Sequence, residues 1–276
     1  MLRLLILFVC FANAAAAAPV RAVVSIAPLH AVVSAVADGV FEPELLISPA
    51  VSVHDHALKP SDALKIGSAD VVFWGGERLE GALAKPVSQA KGRVFSAMTE
   101  REDPHFWLSP ERMKKITREC AAFLAEADPD NARTYRSNAD AFLKRIDALL
   151  AFGRRELAPF ADAPFVVFHD AYEGFERDFA LRGKKGAVRT DEHRESGAGH
   201  LIRLRAAMRD AGKVCLFSEP QMPSKRLSVL AEDLSVVFGT ADPLGASVGV
   251  GKDFYDAMMK NLILSFRKCL SEVAQR

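Results

Sequence analysis

Residues 129–156 read PDNARTYRSNADAFLKRIDALLAFGRRE, and how this stretch folds decides the architecture. Pro129 is its only proline and Gly153 its only glycine. Tyr135, Ala139, Phe142, Ile146 and Leu149 recur at steps of 4, 3, 4 and 3, a spacing that aligns apolar groups along one stripe of a helix. Pro129 suits a first helical turn, where a missing N–H breaks no intrahelical bond, and Pro159 stops the helix on the far side. Twenty-eight helical residues at about 1.5 Å each would span about 40 Å, the width of a small domain. Two short helices kinked near Gly153 are the alternative. The preferred reading is one rigid strut between two globular halves.

On both sides of the strut, short β-branched runs alternate with helical patterns. Strand character marks residues 21–26, 44–47, 70–74 and 93–96, with helical patterns at 29–36, 61–66 and 77–83. The second half repeats the theme, with strands at 165–168, 214–217 and 235–238 and helices at 172–179, 200–211, 224–231 and about 253–270. Such alternation predicts parallel sheets covered on both faces. The expected fold is α/β: two parallel-sheet lobes, 19–128 and 159–276, joined by a linking helix over 129–158, with a cleft between the lobes.

Composition narrows the function. Of 276 residues, 50% are hydrophobic and 26% charged, which excludes a disordered or collagen-like chain. Lys plus Arg total 36 against 35 for Asp plus Glu, so no basic surplus exists to follow a nucleic-acid backbone. Residues 1–18 carry Arg3, an apolar run over 4–11 and then Ala-rich sequence, the pattern of a cleaved signal peptide. The cut is expected before Pro19, giving an exported periplasmic protein; a lipoprotein built on Cys10 is disfavoured because Phe8 and Val9 precede it. Cys120, Cys215 and Cys269 would remain, an odd number that leaves at least one unpaired within the chain. Cys120 shares an apolar helical face with Ile116, Phe123 and Leu124 and suits a buried thiol. A Cys215–Cys269 bridge would tie the last helix to a strand, and no CxxC spacing marks a thiolate metal or redox motif.

All seven histidines lie beyond residue 18. His54, His105 and His169 each follow a strand and precede a helix, the position that faces the ligand crevice in open parallel sheets. Asp242 occupies a similar turn, Thr240-Ala241-Asp242-Pro243-Leu244-Gly245. Three imidazoles and one oxygen suit tetrahedral zinc, whereas manganese favours more oxygen ligands. His56 shares the His54 loop, as a supporting residue or an alternate ligand. His30, beside Pro28, reads as ordinary, and His193 and His200 read as solvent-exposed. Glu219 follows a strand and is a candidate support for the cleft. No nucleophile elbow, dinucleotide fingerprint or phosphate loop is present.

Together these residues resemble the metal-specific periplasmic binding proteins of ABC importers (cluster A-I), most closely their zinc-uptake, ZnuA-type branch. The resemblance is carried by His54-Asp55-His56-Ala57-Leu58-Lys59-Pro60-Ser61-Asp62, by Asp103-Pro104-His105-Phe106-Trp107-Leu108-Ser109-Pro110, by Phe168-His169-Asp170-Ala171-Tyr172 with Phe175, and by the turn at Asp242. It implies two four-stranded lobes on a long helix and a disulfide between Cys215 and Cys269. It further implies Zn2+ as transported ligand on His54, His105 and His169, with Asp242 or water as fourth ligand. An inner-membrane permease is the implied partner, the state a monomer, and no enzyme activity is expected. Three departures stand out. His56 replaces an aromatic, residues 98–102 replace a longer acidic, histidine-rich loop, and 191–197 diverge from the usual pattern. The short loop leaves room for a periplasmic metallochaperone that delivers the metal. The rivals are a manganese- or iron-binding protein of the same family and, further off, a zinc hydrolase.

Overall fold

A computed structural model describes residues 20–53, 56–99, 103–189, 197–221 and 225–275. The signal peptide expected at 1–18, His54 and His193 lie outside the described residues. The first half runs β1 (Ala22–Ile26), α1 (Ala27–Val36), β2 (Glu44–Ile47), α2 (Pro60–Ser68), β3 (Val71–Trp74), α3 (Gly81–Ser88), β4 (Arg93–Ser96) and α4 (Pro110–Ala127). Then come α5 (Ala132–Leu157), β5 (Phe165–His169), α6 (Glu173–Asp178), β6 (Lys184–Arg189), α7 (Ala198–Ala211), β7 (Val214–Ser218), α8 (Lys225–Ala231), β8 (Val236–Thr240) and α9 (Phe254–Ala274).

The strands form two parallel four-stranded sheets of the same order, β2-β1-β3-β4 and β6-β5-β7-β8. Hydrophobic content sorts strands into centre and edge. β1, β3 and β5 are buried along their whole length and β7 along nearly all of it, so these occupy the centres. At the edges β2, β4, β6 and β8 keep polar or exposed positions, where water satisfies one side of the backbone. In each sheet the chain leaves the first central strand on one side and returns on the other. That reversal opens a crevice at the carboxyl ends of β1 and β3, and again at those of β5 and β7.

Residues 132–157 form one unbroken helix, α5, preceded by a 3-10 turn at Pro129–Asn131. Its buried stripe contains all five apolar residues of the periodic pattern, together with Gly153 and Leu157. Each such burial contributes about 1.5–3 kcal/mol for a large side chain. α5 packs on α1, α4 and α9, and so fastens elements of both lobes. Gly153 causes no kink because it serves packing. A Cβ there would sit 2.3 Å from Phe179 Cε1 and 2.9 Å from Ile263 Cδ1. Gly153→Ala is therefore expected to destabilise by about 1–3 kcal/mol, despite alanine's better helix propensity; urea unfolding checks this.

Several local expectations need adjusting. The resemblance implied a fourth strand in the second lobe, and the residue pattern had not marked it: β6 reads Lys-Lys-Gly-Ala-Val-Arg, an edge strand with only two fully buried positions. The helix expected at 77–83 starts at Gly81. Gly76 adopts φ +133°, a conformation that favours glycine, and the turn after it folds Glu80 inward, where its carboxylate accepts the Gly75 N–H at 2.7 Å. Burial pushes the Glu80 carboxyl up to about 7, against the opposing pull of Ser25 and the Gly75 and Gly76 N–H groups. The folded protein thus holds a proton that the unfolded chain releases near the ordinary value of 4.5. Stability from this group is full below that value and is lost as pH rises through about 7. Glu80→Gln is expected to flatten that slope, gaining on the parent at pH 8 relative to pH 5 in urea titrations. His200 is not solvent-exposed as expected: it is half-buried and its Nε2–H donates to Ala187 O at 2.8 Å, docking α7 on β6.

Cys215 and Cys269 are joined in a disulfide with a Cα–Cα distance of 5.9 Å, tying β7 to α9. Cys120 is a buried free thiol, and burial pushes its pKa up. Among the described residues, no helix is long and apolar enough to cross a membrane.

Candidate metal centre

The crevices of the two sheets meet around a cavity of about 20 Å³, room for one water-sized occupant. Ser52, Val53, His105 and Trp107 line it from the first lobe, and His169, Glu219, Gln221, Pro243 and Leu244 from the second.

His105 stands on the loop after β4, just before a 3-10 turn at Phe106–Leu108. Asp103 Oδ1 accepts both the His105 backbone N–H at 3.0 Å and the ring Nδ1–H at 3.1 Å. Burial would raise the Asp103 carboxyl, but these bonds to His105, with the nearby Arg78, bring it below its ordinary value. The turn is locked across the lobes: buried Trp107 donates from Nε1 to Pro243 O at 2.7 Å, and Tyr255 on α9 donates to Trp107 O at 3.0 Å. Ser109 accepts the Arg112 N–H as the cap of α4 and donates to Asp178 of α6 at 2.6 Å.

His169 ends β5, and its Nδ1–H donates to the buried Glu219 carboxylate at 2.8 Å. Glu219 directly follows β7, so the pair sits where the second sheet reverses strand order. The Tyr172 hydroxyl completes the arrangement, donating to Glu219 Oε1 at 2.9 Å. Burial first, and the Glu219 charge second, hold that phenol well above its ordinary pKa.

Both Nδ1–H groups thus donate to carboxylates, which leaves the Nε2 side of each ring to the cavity that both residues line. The two Nε2 atoms lie 3.3 Å apart across the lobes. Nitrogens about 2.0–2.1 Å from one tetrahedral cation are separated by about 3.3–3.4 Å. The spacing is that of two ligands on one ion.

Of the other residues singled out in the sequence, His54 lies outside the described residues, but Ser52 and Val53 just before it line the cavity. His56 does not line the cavity: its Nε2 pairs with buried Asp62 Oδ2 at 3.1 Å, pinning the loop to the start of α2. Asp242 does not join the wall. Its Oδ1 accepts from Gln221 Nε2, Leu244 N and Gly245 N, its Oδ2 from Ala246 N at 2.7 Å, and its neighbours Pro243 and Leu244 reach the cavity instead. Among the described residues, no group of three or more His, Cys, Asp or Glu side chains converges as a metal ion requires. His30 is buried and held by Ser34 and Pro43 O, away from the site.

Over residues 22–269 the chain matches the family ZnuA, zinc-uptake complex component A, periplasmic. The high-affinity zinc uptake system protein ZnuA of Brucella suis biovar 1 is 32% identical, with 91% of each chain covered. Its Yersinia pestis counterpart is 29% identical, with 90% of each covered. Among solved structures, a crystal structure of ZnuA superposes with TM-score 0.80 at 22% identity, covering 92% of this chain and 100% of that one. The periplasmic zinc-binding protein TroA from Treponema pallidum gives 0.81 at 21%, covering 92% and 99%. FpvC from Pseudomonas aeruginosa, in complex with Mn2+, gives 0.80 at 21%, also covering 92% and 99%. These likenesses match the two-lobed α/β fold on a long helix. The chain belongs to the ZnuA family of periplasmic zinc-uptake binding proteins.

Proposed function

We propose that this protein captures Zn2+ in the periplasm through His54, His105 and His169 and delivers it to the inner-membrane permease of an ABC importer. The observation that carries the reading is the approach of the two Nε2 atoms to 3.3 Å at the cavity, each ring backed by a carboxylate. Imidazole donors favour zinc over manganese, which prefers oxygen. The cavity speaks against hydrolysis: about 20 Å³ holds an ion but not an ester beside it, and Asp103 and Glu219 are committed to histidine Nδ1–H groups. Binding displaces protons from the imidazoles, so affinity falls in acid.

Metal-stripped protein titrated against a chromophoric chelator is expected to take one Zn2+ per chain and to prefer it over Mn2+ by orders of magnitude. A preference for Mn2+ would reverse the assignment. Delivery is tested by zinc uptake in cells lacking the protein, which is expected to fall under chelation and to recover on complementation.

A further inference from the structure

Each cavity donor of known position has a carboxylate behind it: Asp103 behind His105, Glu219 behind His169. Asp242 stands in the same relation to a third wall residue, Gln221, which accordingly takes the place expected of Asp242 itself. Gln221 lies two residues beyond Glu219 and lines the cavity with both histidines. Its Nε2 donates to Asp242 Oδ1 at 2.9 Å and to Pro49 O at 3.3 Å. An amide nitrogen carries two hydrogens, and both are engaged. These contacts also fix the orientation of the amide, because turning it over would set Oε1 against a carboxylate and a carbonyl, acceptor against acceptor. Oε1 is buried and has no hydrogen-bond partner among the described residues, a state that folded proteins avoid unless a ligand, ion or water completes it.

We propose that the Gln221 side-chain carbonyl, rather than the Asp242 carboxylate, supplies the oxygen that completes the shell of the captured cation. This rests on the zinc-capture reading. Asp242 acts through Gln221: its negative charge behind the N–H polarises the amide and strengthens Oε1 as a donor. Asp242 is itself held by the three backbone N–H groups of Leu244, Gly245 and Ala246. Because Pro49 belongs to the loop that leads to His54, the amide is oriented by both lobes at once.

Gln221→Leu keeps the volume and removes the oxygen. The test loads the parent and this variant with Co2+, whose visible d–d bands report the ligand set, and measures Zn2+ release to a chelator. The variant is expected to shift the Co2+ bands and to release Zn2+ about tenfold faster or more. Superimposable spectra and equal release rates would overturn the proposal. A purely structural role for Gln221 would lower the melting temperature of the metal-free protein without moving the bands, which also overturns it. Should the variant fail to fold, water-proton relaxation of the Co2+-loaded parent decides: a coordinated, exchanging water in the fourth position overturns the assignment, and a water-free shell supports it. If the parent binds neither Zn2+ nor Co2+, the zinc-capture reading fails first; if it binds both and the variant is indistinguishable, only the role of Gln221 fails.

Discussion

Replacing His169 by alanine is expected to weaken zinc binding by more than a hundredfold, with the far-UV circular dichroism of the protein unchanged. The lower bound comes from the supporting carboxylates. Losing a group that merely orients a ligand costs about 10–100-fold in metal affinity, and His169 is placed as the ligand itself. Glu219→Gln is expected to fall within that lower range, because an amide still accepts the Nδ1–H but carries no charge to raise the basicity of the ring. The size of the gap between the two variants is therefore informative. Some stability is lost as well, since His169→Ala leaves the buried Glu219 carboxylate with only the Tyr172 hydroxyl among its named donors. Chelator competition at neutral pH measures the affinity, and thermal melting of the metal-free protein measures the packing cost. His200→Ala provides the contrast: His200 docks α7 on β6, so its loss is expected to affect melting and not zinc. An equal drop in zinc affinity for His200→Ala would place the site elsewhere.

The parts of this molecule that were legible in the sequence are those written in local pattern. The 4, 3, 4, 3 spacing from Tyr135 to Leu149 announced α5, because helical periodicity depends on neighbours within a few turns. Buried runs such as Phe165–His169 announced the central strands for the same reason. β6 escaped because an edge strand needs few apolar positions, and Lys184 and Lys185 look like loop. The histidines at strand ends were visible through the topology they imply, and His105 with His169 does meet across the lobes. Their supporting cast was much less visible. Trp107 reaches Pro243 over 136 residues and Gln221 reaches Pro49 over 172, and no spacing rule connects such pairs. Asp242 shows the converse limit. A turn sequence marks a carboxylate near a strand end, but whether its oxygens face a cavity or their own backbone N–H groups is decided by the loop that follows.

The second large effect concerns the disulfide. Replacing Cys215 and Cys269 together by serine is expected to lower stability by about 4 kcal/mol, the chain-entropy value for a loop of this size. The bridge closes a separation of 54 residues, which the unfolded chain would otherwise explore freely. Its position adds to the effect, since Cys215 lies on a central strand that pairs with both β5 and β8. α9 covers this part of the sheet and packs on α5, so loosening its attachment weakens the strut that fastens the lobes. The metal centre should be spared: Glu219 and Gln221 are placed by the end of β7 and by hydrogen bonds to His169, Asp242 and, across the lobes, Pro49, which the serine variant keeps. Zinc affinity is therefore expected to change by less than about threefold while the urea midpoint falls, and a cost of ~4 kcal/mol should appear equally in metal-free protein. Reducing the denatured parent should release two thiols more than are counted before reduction, with Cys120 already free in both. If reductant leaves the thiol count and the urea midpoint unchanged, β7 and α9 are held by packing alone and the entropic account of this lobe's stability fails.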